Sequence, residues 1–264
     1  MGHSTLLKKA SLVGAFFVSV FFTLPGWAFC PSAGALPQVR VERVVDGDTL
    51  RLADGRSVRL VGINAPERAR DGRPAEPYAE AARKRLQALV VASDERVGLR
   101  LGERARDHYG RTLAHVYDGA GRNLEAMLLS EGLGYQVAFE DDALVACQRA
   151  AEVEARRGRL GLWRQVEVIA SDAVQRGGFT LVSGRVERVQ RNRGGLWLEM
   201  PGLVLRVEPK LLAQFDVAAI QRLVGQRVDA RGWVVDRARR GGVKAHQARW
   251  MLSLTHPAML EVSP

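Results

Sequence analysis

The sequence predicts a mainly β protein with helices, built as two small barrel-like regions in succession. Three observations carry that prediction. Short Val/Ile/Leu runs alternating with polar residues recur between Gly- and Asp-containing turns from Gln38 onward. Helical periodicity is confined to a few segments beside those runs. After about residue 178 the chain has a second set of strands and one helix of its own. A length of 264 residues suits two domains, and a hydrophobic content of 47% supplies their cores.

The N-terminus has the order of an export signal. Lys8 and Lys9 precede an apolar run over residues 10–24, which ends in Pro25-Gly26 and then Trp27-Ala28. Charged, apolar and then small residues mark a cleaved signal peptide, here residues 1–28. The run is shorter than a membrane span requires. A periplasmic or secreted destination is expected. Membrane association would arise only through an uncleaved signal segment or a basic patch.

The first folded region is assigned to residues 38–166. Val41, Val45, Leu50 and Leu52 mark strands on either side of an Asp-Gly-Asp turn, Asp54-Gly55 makes a hairpin, and Val58, Leu60 and Ile63 lead onward. Tyr78, Ala82, Leu86 and Leu89 repeat every three or four residues, which predicts a helix over 74–91. Strands return at 97–101 and 112–117. Helices follow at 123–131 and 141–157, closed by Gly132 and Gly158, and Gly161-Leu162-Trp163 ends the region. A small closed sheet with helices beside it fits these elements, because closure removes the sheet edges. Residues 167–177 read as a linker. The second region, 178–264, offers strands at 180–189, 196–198 and 204–207, a helix at 211–223, and strands at 228–235 and 250–254. Three strands, a helix and two strands is the order of a five-stranded OB-like barrel.

Three separated stretches hold the residues with chemistry in them. Asp46 and Asp48 flank Gly47, so two hard oxygen donors can meet if the chain bends there; such donors suit Ca²⁺ or Mg²⁺. Thr49 can donate a hydrogen bond nearby or cap the turn. Arg59 stands eight residues before Glu67, with Asn64, Ala65 and Pro66 between them. Pro66 fixes the local backbone, and a fixed carboxylate facing water can take or orient a proton. Asp107, Tyr109 and Arg111 form the third stretch. Arg59 and Arg111 each present a planar fork of donors suited to phosphate oxygens. Metal ligands, a base and two phosphate clamps are the parts of a metal-assisted phosphodiesterase.

In that order and spacing, the three stretches resemble the staphylococcal nuclease (thermonuclease) family, over about residues 38–163. The resemblance implies a five-stranded barrel with helices, Ca²⁺ dependence, and endonucleolytic cleavage of DNA and RNA leaving 3′-phosphorylated products. Carried over by motif, Arg59 and Arg111 are the phosphate-contacting pair and Glu67 the general base. Asp48 is a direct metal ligand, the Ala65 carbonyl supplies another oxygen, and Asp46 is supportive or a further ligand. Asp107 matches the acidic residue before Tyr-Gly-Arg, and Tyr109 the tyrosine near the scissile nucleotide. Asn64 departs from the pattern: the family often has a second metal-binding aspartate there. An amide oxygen still ligates but carries no charge, so weaker Ca²⁺ binding, or a preference for Mg²⁺ or Mn²⁺, is expected.

Of the net charge of +10, +7 falls on residues 178–264. A basic region favours a polyanion, DNA or RNA first and anionic lipid second, or else serves as solubilising surface. Arg191, Arg193, Arg237, Arg239, Arg240 and Lys244 cluster in two turn-like stretches there. Arg68, Arg70 and Arg73 in the loop after Glu67 could add backbone contacts, or pair with neighbouring acids. No obligate protein partner is implied. The two cysteines, Cys30 and Cys147, would both survive signal cleavage; a disulfide between them is expected, with two unpaired thiols the alternative. The principal competing function is a non-catalytic nucleic-acid-binding module of the same fold.

Overall fold

The computed structural model describes residues 29–70, 72–139, 143–240, 243 and 247–263. The export segment and Lys244 lie outside the described residues, and of Arg240 only the backbone is described. Among the described residues no helix is long and apolar enough to cross a membrane.

The first sheet is a closed barrel of β1 (Gln38–Asp46), β2 (Thr49–Leu52), β3 (Ser57–Leu60), β5 (Arg96–Arg106) and β6 (Thr112–Tyr117), in the order β1-β2-β3-β6-β5. Period-two alternation turns Leu50, Leu52, Val58 and Leu60 inward, where none is more than 1% exposed. β5 returns to β1 through Gln38 opposite Gly98, which closes the ring, and β3 runs parallel to β6. Helix α1 (Ala79–Val91) lays Ala82, Leu86, Leu89 and Val90 against the barrel. It begins five residues later than the periodicity predicts, because Pro77 disfavours helical geometry at Glu76. Helices α2 (Leu124–Ser130) and α3 (Val145–Arg157) complete the layer, and the Asn123 side chain caps α2 by accepting from the Ala126 amide. A two-stranded ribbon, β4 (Ile63–Asn64) with β7 (Tyr135–Gln136), ties the loop after β3 to the segment after α2. Cys30 and Cys147 are joined in a disulfide that fastens the N-terminal arm to α3.

The second sheet differs from the expected five-stranded barrel. It is open, with eight strands: β8 (Ile169–Ala170), β9 (Gly178–Arg185), β10 (Arg188–Asn192), β11 (Gly195–Met200), β12 (Leu203–Val207), β13 (Arg227–Asp236), β14 (Trp250–Leu254) and β15 (Leu260–Val262). The order is β10-β11-β12-β14-β13-β9-β8, with β15 on β13. The strand predicted over 180–189 is in fact two, β9 and β10, which pair at opposite ends of the sheet across the break at Val186 and Glu187. The predicted linker contains β8, and the predicted helix over 211–223 is a 3-10 turn followed by the short α4 (Val217–Gln221). Asp216 explains that division, since its carboxylate accepts from the Ala219 amide and starts a new helix there.

The two sheets are packed together through α3. Arg231 on β13 is 5% exposed and donates to both carboxylate oxygens of Glu152, at 2.8 and 2.7 Å. Glu261 binds Arg231, Arg149 and Arg156 at 3.1–3.3 Å, and the Thr255 hydroxyl donates to the Ala138 carbonyl. Burial pushes the Glu152 carboxyl up, and the Arg231 charge opposes that shift.

Candidate active site

The Asp-Gly-Asp turn joins β1 to β2, with Asp46 opposite Thr49. Gly47 is needed for space: a Cβ there would lie 2.6 Å from the Cβ atoms of both Ala65 and Ala82. The turn is therefore pressed against α1 and the loop after β4. Asp46 caps it by accepting from the Asp48 amide at 3.2 Å. Asp48 is buried, 6% exposed, and its Oδ2 accepts from the Ala65 amide at 2.8 Å. Thr49 donates to Asp48 Oδ1 at 3.1 Å. Burial drives the Asp48 carboxyl up to about 7; Arg59 opposes the shift and Asp46 adds to it.

Arg59 projects from β3 into this pocket. Its Nη1 lies 2.9 Å from Asp48 Oδ2 and donates to the carbonyls of Leu60 and Ile63, while Nη2 donates to Asn64 Oδ1 at 3.3 Å. Asp48 and Asn64, distant in sequence, thus converge on one guanidinium. An anionic oxygen and an amide oxygen held about one cation suit a hard divalent ion in kind. In number they fall short of the six to eight oxygens Ca²⁺ takes. Among the described residues no group of three or more His, Cys, Asp or Glu is arranged to hold a metal. Water would have to complete the coordination.

Glu67 sits beyond Pro66 on the exposed side of the same loop. Its amide donates to Glu76 Oε2 and its carbonyl accepts from the Glu76 amide, so two backbone-anchored contacts hold the loop. Partial burial raises the Glu67 pKa, Asp46 and Glu76 raise it further, and Arg59 and Arg111 lower it. Glu67 lines the same cleft as Arg59 and Arg111. Arg111 closes a tight turn whose Gly110 has φ +79, a conformation that favours glycine. Asp107 organises that turn: Oδ1 accepts from the Tyr109 and Arg111 amides, and Oδ2 accepts from Arg111 Nε at 2.7 Å. Burial works against the Asp107 charge, but the bonds from Arg111 outweigh it and keep the carboxyl below its usual range. Tyr109 is 74% exposed, with the Arg111 guanidinium 5.5 Å from its ring centre.

Arg59, Asn64, Glu67, Asp107, Tyr109 and Arg111 all line one cleft of about 610 Å³. Asp48 lies buried behind Arg59, its ion-pair partner. The outlying arginines are placed differently. Arg68 is turned back on the protein, donating to the Val45 carbonyl and pairing with Glu80. Arg70 and Arg73 pair through their backbones. Arg191 and Arg193 are exposed at the β10–β11 turn, Arg239 lies 3.9 Å from Asp236, and Arg237 donates to the Ala248 carbonyl. None of these is at the cleft.

Sequence reasoning missed the far wall of that cleft. Phe139, Lys210, Trp233, Ser253 and Thr255 line it opposite the arginines, and four of these belong to the second sheet or its connections. The sequence favours core positions for Trp197, Trp233 and Trp250 over stacking ones; Trp250 is buried, but Trp233 is 39% exposed in the cleft, a placement that depends on how the two sheets pack.

Comparison with known proteins points to one family. The family model described as staphylococcal nuclease homologue matches residues 57–165, a segment carrying Arg59, Asn64, Glu67 and Arg111 but not the Asp-Gly-Asp turn. A thermonuclease of Staphylococcus intermedius is 33% identical over 129 residues, 47% of this chain and 75% of that protein. A micrococcal nuclease of Shigella flexneri is 31% identical over 157 residues, covering 55% and 80%. Endonuclease YncB of Bacillus subtilis is 34% identical over 133 residues, covering 48% and 62%. A closed five-stranded barrel with an arginine- and carboxylate-lined cleft at its rim defines the class. The chain belongs to the staphylococcal nuclease family over that part of its length.

Proposed function

We propose that this chain is an exported, divalent-metal-dependent endonuclease that hydrolyses DNA, RNA or both. The observation that carries the reading is that Arg59, Asn64, Glu67 and Arg111 line one cleft, with Asp48 paired to Arg59 behind it. Asp48, Asn64 and the Ala65 carbonyl would hold Ca²⁺, or Mg²⁺ or Mn²⁺ in its place, and the bound ion would supply Lewis-acid polarisation of a phosphoryl oxygen. Glu67 takes a proton from the attacking water, its raised pKa bringing it nearer the range useful to a base at neutral pH. Arg111, fixed by Asp107, donates to the phosphate oxygens on which charge accumulates. Arg59, turned from its present partners, would donate to the same phosphate. Water attacks phosphorus, the bond to the 5′ oxygen breaks, that oxygen takes up a proton, and the 3′-phosphate remains.

Residues 38–166 form the catalytic domain in this reading and residues 178–264 a basic accessory domain of OB-like descent. The second sheet follows the strand order of the first barrel, with its first strand split into β9 and β10. Export to the periplasm or beyond follows from the N-terminal segment. Incubating the chain with end-labelled DNA and RNA, under Ca²⁺, Mg²⁺, Mn²⁺ or EDTA, tests the reaction. Metal-dependent cleavage leaving 3′-phosphate ends is expected. Salt-sensitive binding without cleavage under any ion would instead favour a non-catalytic nucleic-acid-binding module.

A further inference from the structure

The second sheet presents one cross-strand row on its outer face, and that row begins in the cleft. Phe179 on β9 is opposite Trp233 on β13. Leu252 pairs with Val234, so the antiparallel register puts Ser253 of β14 opposite Trp233. Ser253 is then level with Arg206 of β12, Arg206 with Trp197 of β11, and Trp197 with Gln190 of β10. The row reads Phe179, Trp233, Ser253, Arg206, Trp197, Gln190. Each is at least partly exposed, while neighbours such as Val234, Leu252, Leu205 and Leu198 point inward and are buried.

The contacts within this row suit planar, anionic ligands. Trp233 is 39% exposed, and its ring stacks with Phe139 at 5.8 Å and meets Phe179 edge-on at 5.1 Å. At the other end the guanidiniums of Arg206 and Arg237 stand 5.1 and 5.7 Å from the Trp197 ring. The Trp197 indole N–H is held by Asn192, and Arg206 is held by the Gly194 carbonyl. Both platforms are therefore pre-oriented. Of the acids near the row, Glu208 lies 4.0 Å from both Arg206 and Lys210, Glu199 on the Trp197 face of β11 is paired with Arg188, and Glu67, Glu103 and Asp107 line the cleft at the Trp233 end. Trp233 and Trp197 are three strand spacings apart, about 14 Å.

We infer that this row is a track for a single strand of nucleic acid leaving the catalytic cleft, with a base stacked at Trp233 and another at Trp197. Aromatic faces accept any base, interleaved arginines track the backbone, and duplex bases are already stacked and cannot use such a surface. The track makes the accessory sheet the element that selects single-stranded over paired substrate. The inference rests on the nuclease reading for what happens at the cleft, but its binding component is measured separately.

The test uses the full chain carrying Glu67→Gln, in EDTA, with a fluorescein-labelled DNA single strand of about 12 nucleotides and the same sequence as duplex. Anisotropy should give at least about tenfold tighter binding of the single strand. Trp233→Ala and Trp197→Ala should each weaken it by about tenfold, and Trp197→Phe should restore most of the loss at Trp197. Tryptophan fluorescence should be quenched as the single strand is added, less so in Trp197→Phe; this readout reports stacking even if an alanine variant folds poorly. Equal affinity for duplex, or single-strand binding and quenching indifferent to Trp197, would overturn the track. Trp-dependent binding in a chain that cleaves nothing under any metal would uphold the track and overturn only the nuclease reading.

Discussion

At the residue scale the site is a contest for Arg59. Asp48 and Asn64 hold the guanidinium, so the arginine neutralises the buried carboxylate, and the same two oxygens are the ligands proposed for a divalent ion. A carboxylate at position 64 would add the missing charge. Asn64→Asp should bind Ca²⁺ about tenfold more tightly by calorimetry; unchanged affinity would remove residue 64 from the ligand set. Asp48 gives a pH signature. Its folded pKa is raised from 3.8 to about 7, so its stabilising contribution is complete below about pH 4 and is lost as pH rises through about 7. In EDTA, unfolding measured across that window should lose this contribution in the parent chain and not in Asp48→Asn. Parallel pH profiles for the two would contradict the assignment. The site's residue types were legible in sequence because motif spacing survives without coordinates. The present engagement of Arg59 was not, because it depends on Asp48 being buried beside it.

At the element scale the barrel was readable from alternation and turns, and its closure follows from β5 returning to β1. The split of the first strand of the second sheet was not readable, because Val186 and Glu187 carry no breaker between two strand-like runs. The short β8 and β15 were missed for a related reason: two or three residues hold too little pattern to mark a strand. The joint between the sheets was equally hidden, since Arg231 reads as one more basic residue until Glu152 is found against it. Arg231→Ala leaves the buried Glu152 with Arg156 as its remaining ionic partner, and a loss of about 2–3 kcal/mol in urea unfolding is expected. Arg231→Met with Glu152→Leu should recover most of it. A loss below about 1 kcal/mol in the single variant would mean the pair does not hold the joint.

At the scale of the whole molecule, a family barrel carries the proposed reacting groups and a second sheet walls their cleft. Composition anticipated the basic character of the second region, but not that its aromatic row starts beside the arginines. The Cys30–Cys147 disulfide binds the two ends of the first region across a separation of 117 residues. Closing so long a loop restricts the unfolded chain, so replacing both cysteines by serine should cost about 3–5 kcal/mol, read from urea unfolding of the oxidised parent beside the variant. Equal stability would show that the bridge is dispensable.

The most direct measurement is the single-turnover cleavage rate of a labelled single strand with saturating Ca²⁺, for the parent chain and for Glu67→Gln and Arg111→Ala, with folding checked by circular dichroism. Each substitution should slow the chemical step by about a hundredfold or more. Cleavage at the parent rate by either folded variant would contradict the assignment of the cleft as the catalytic centre.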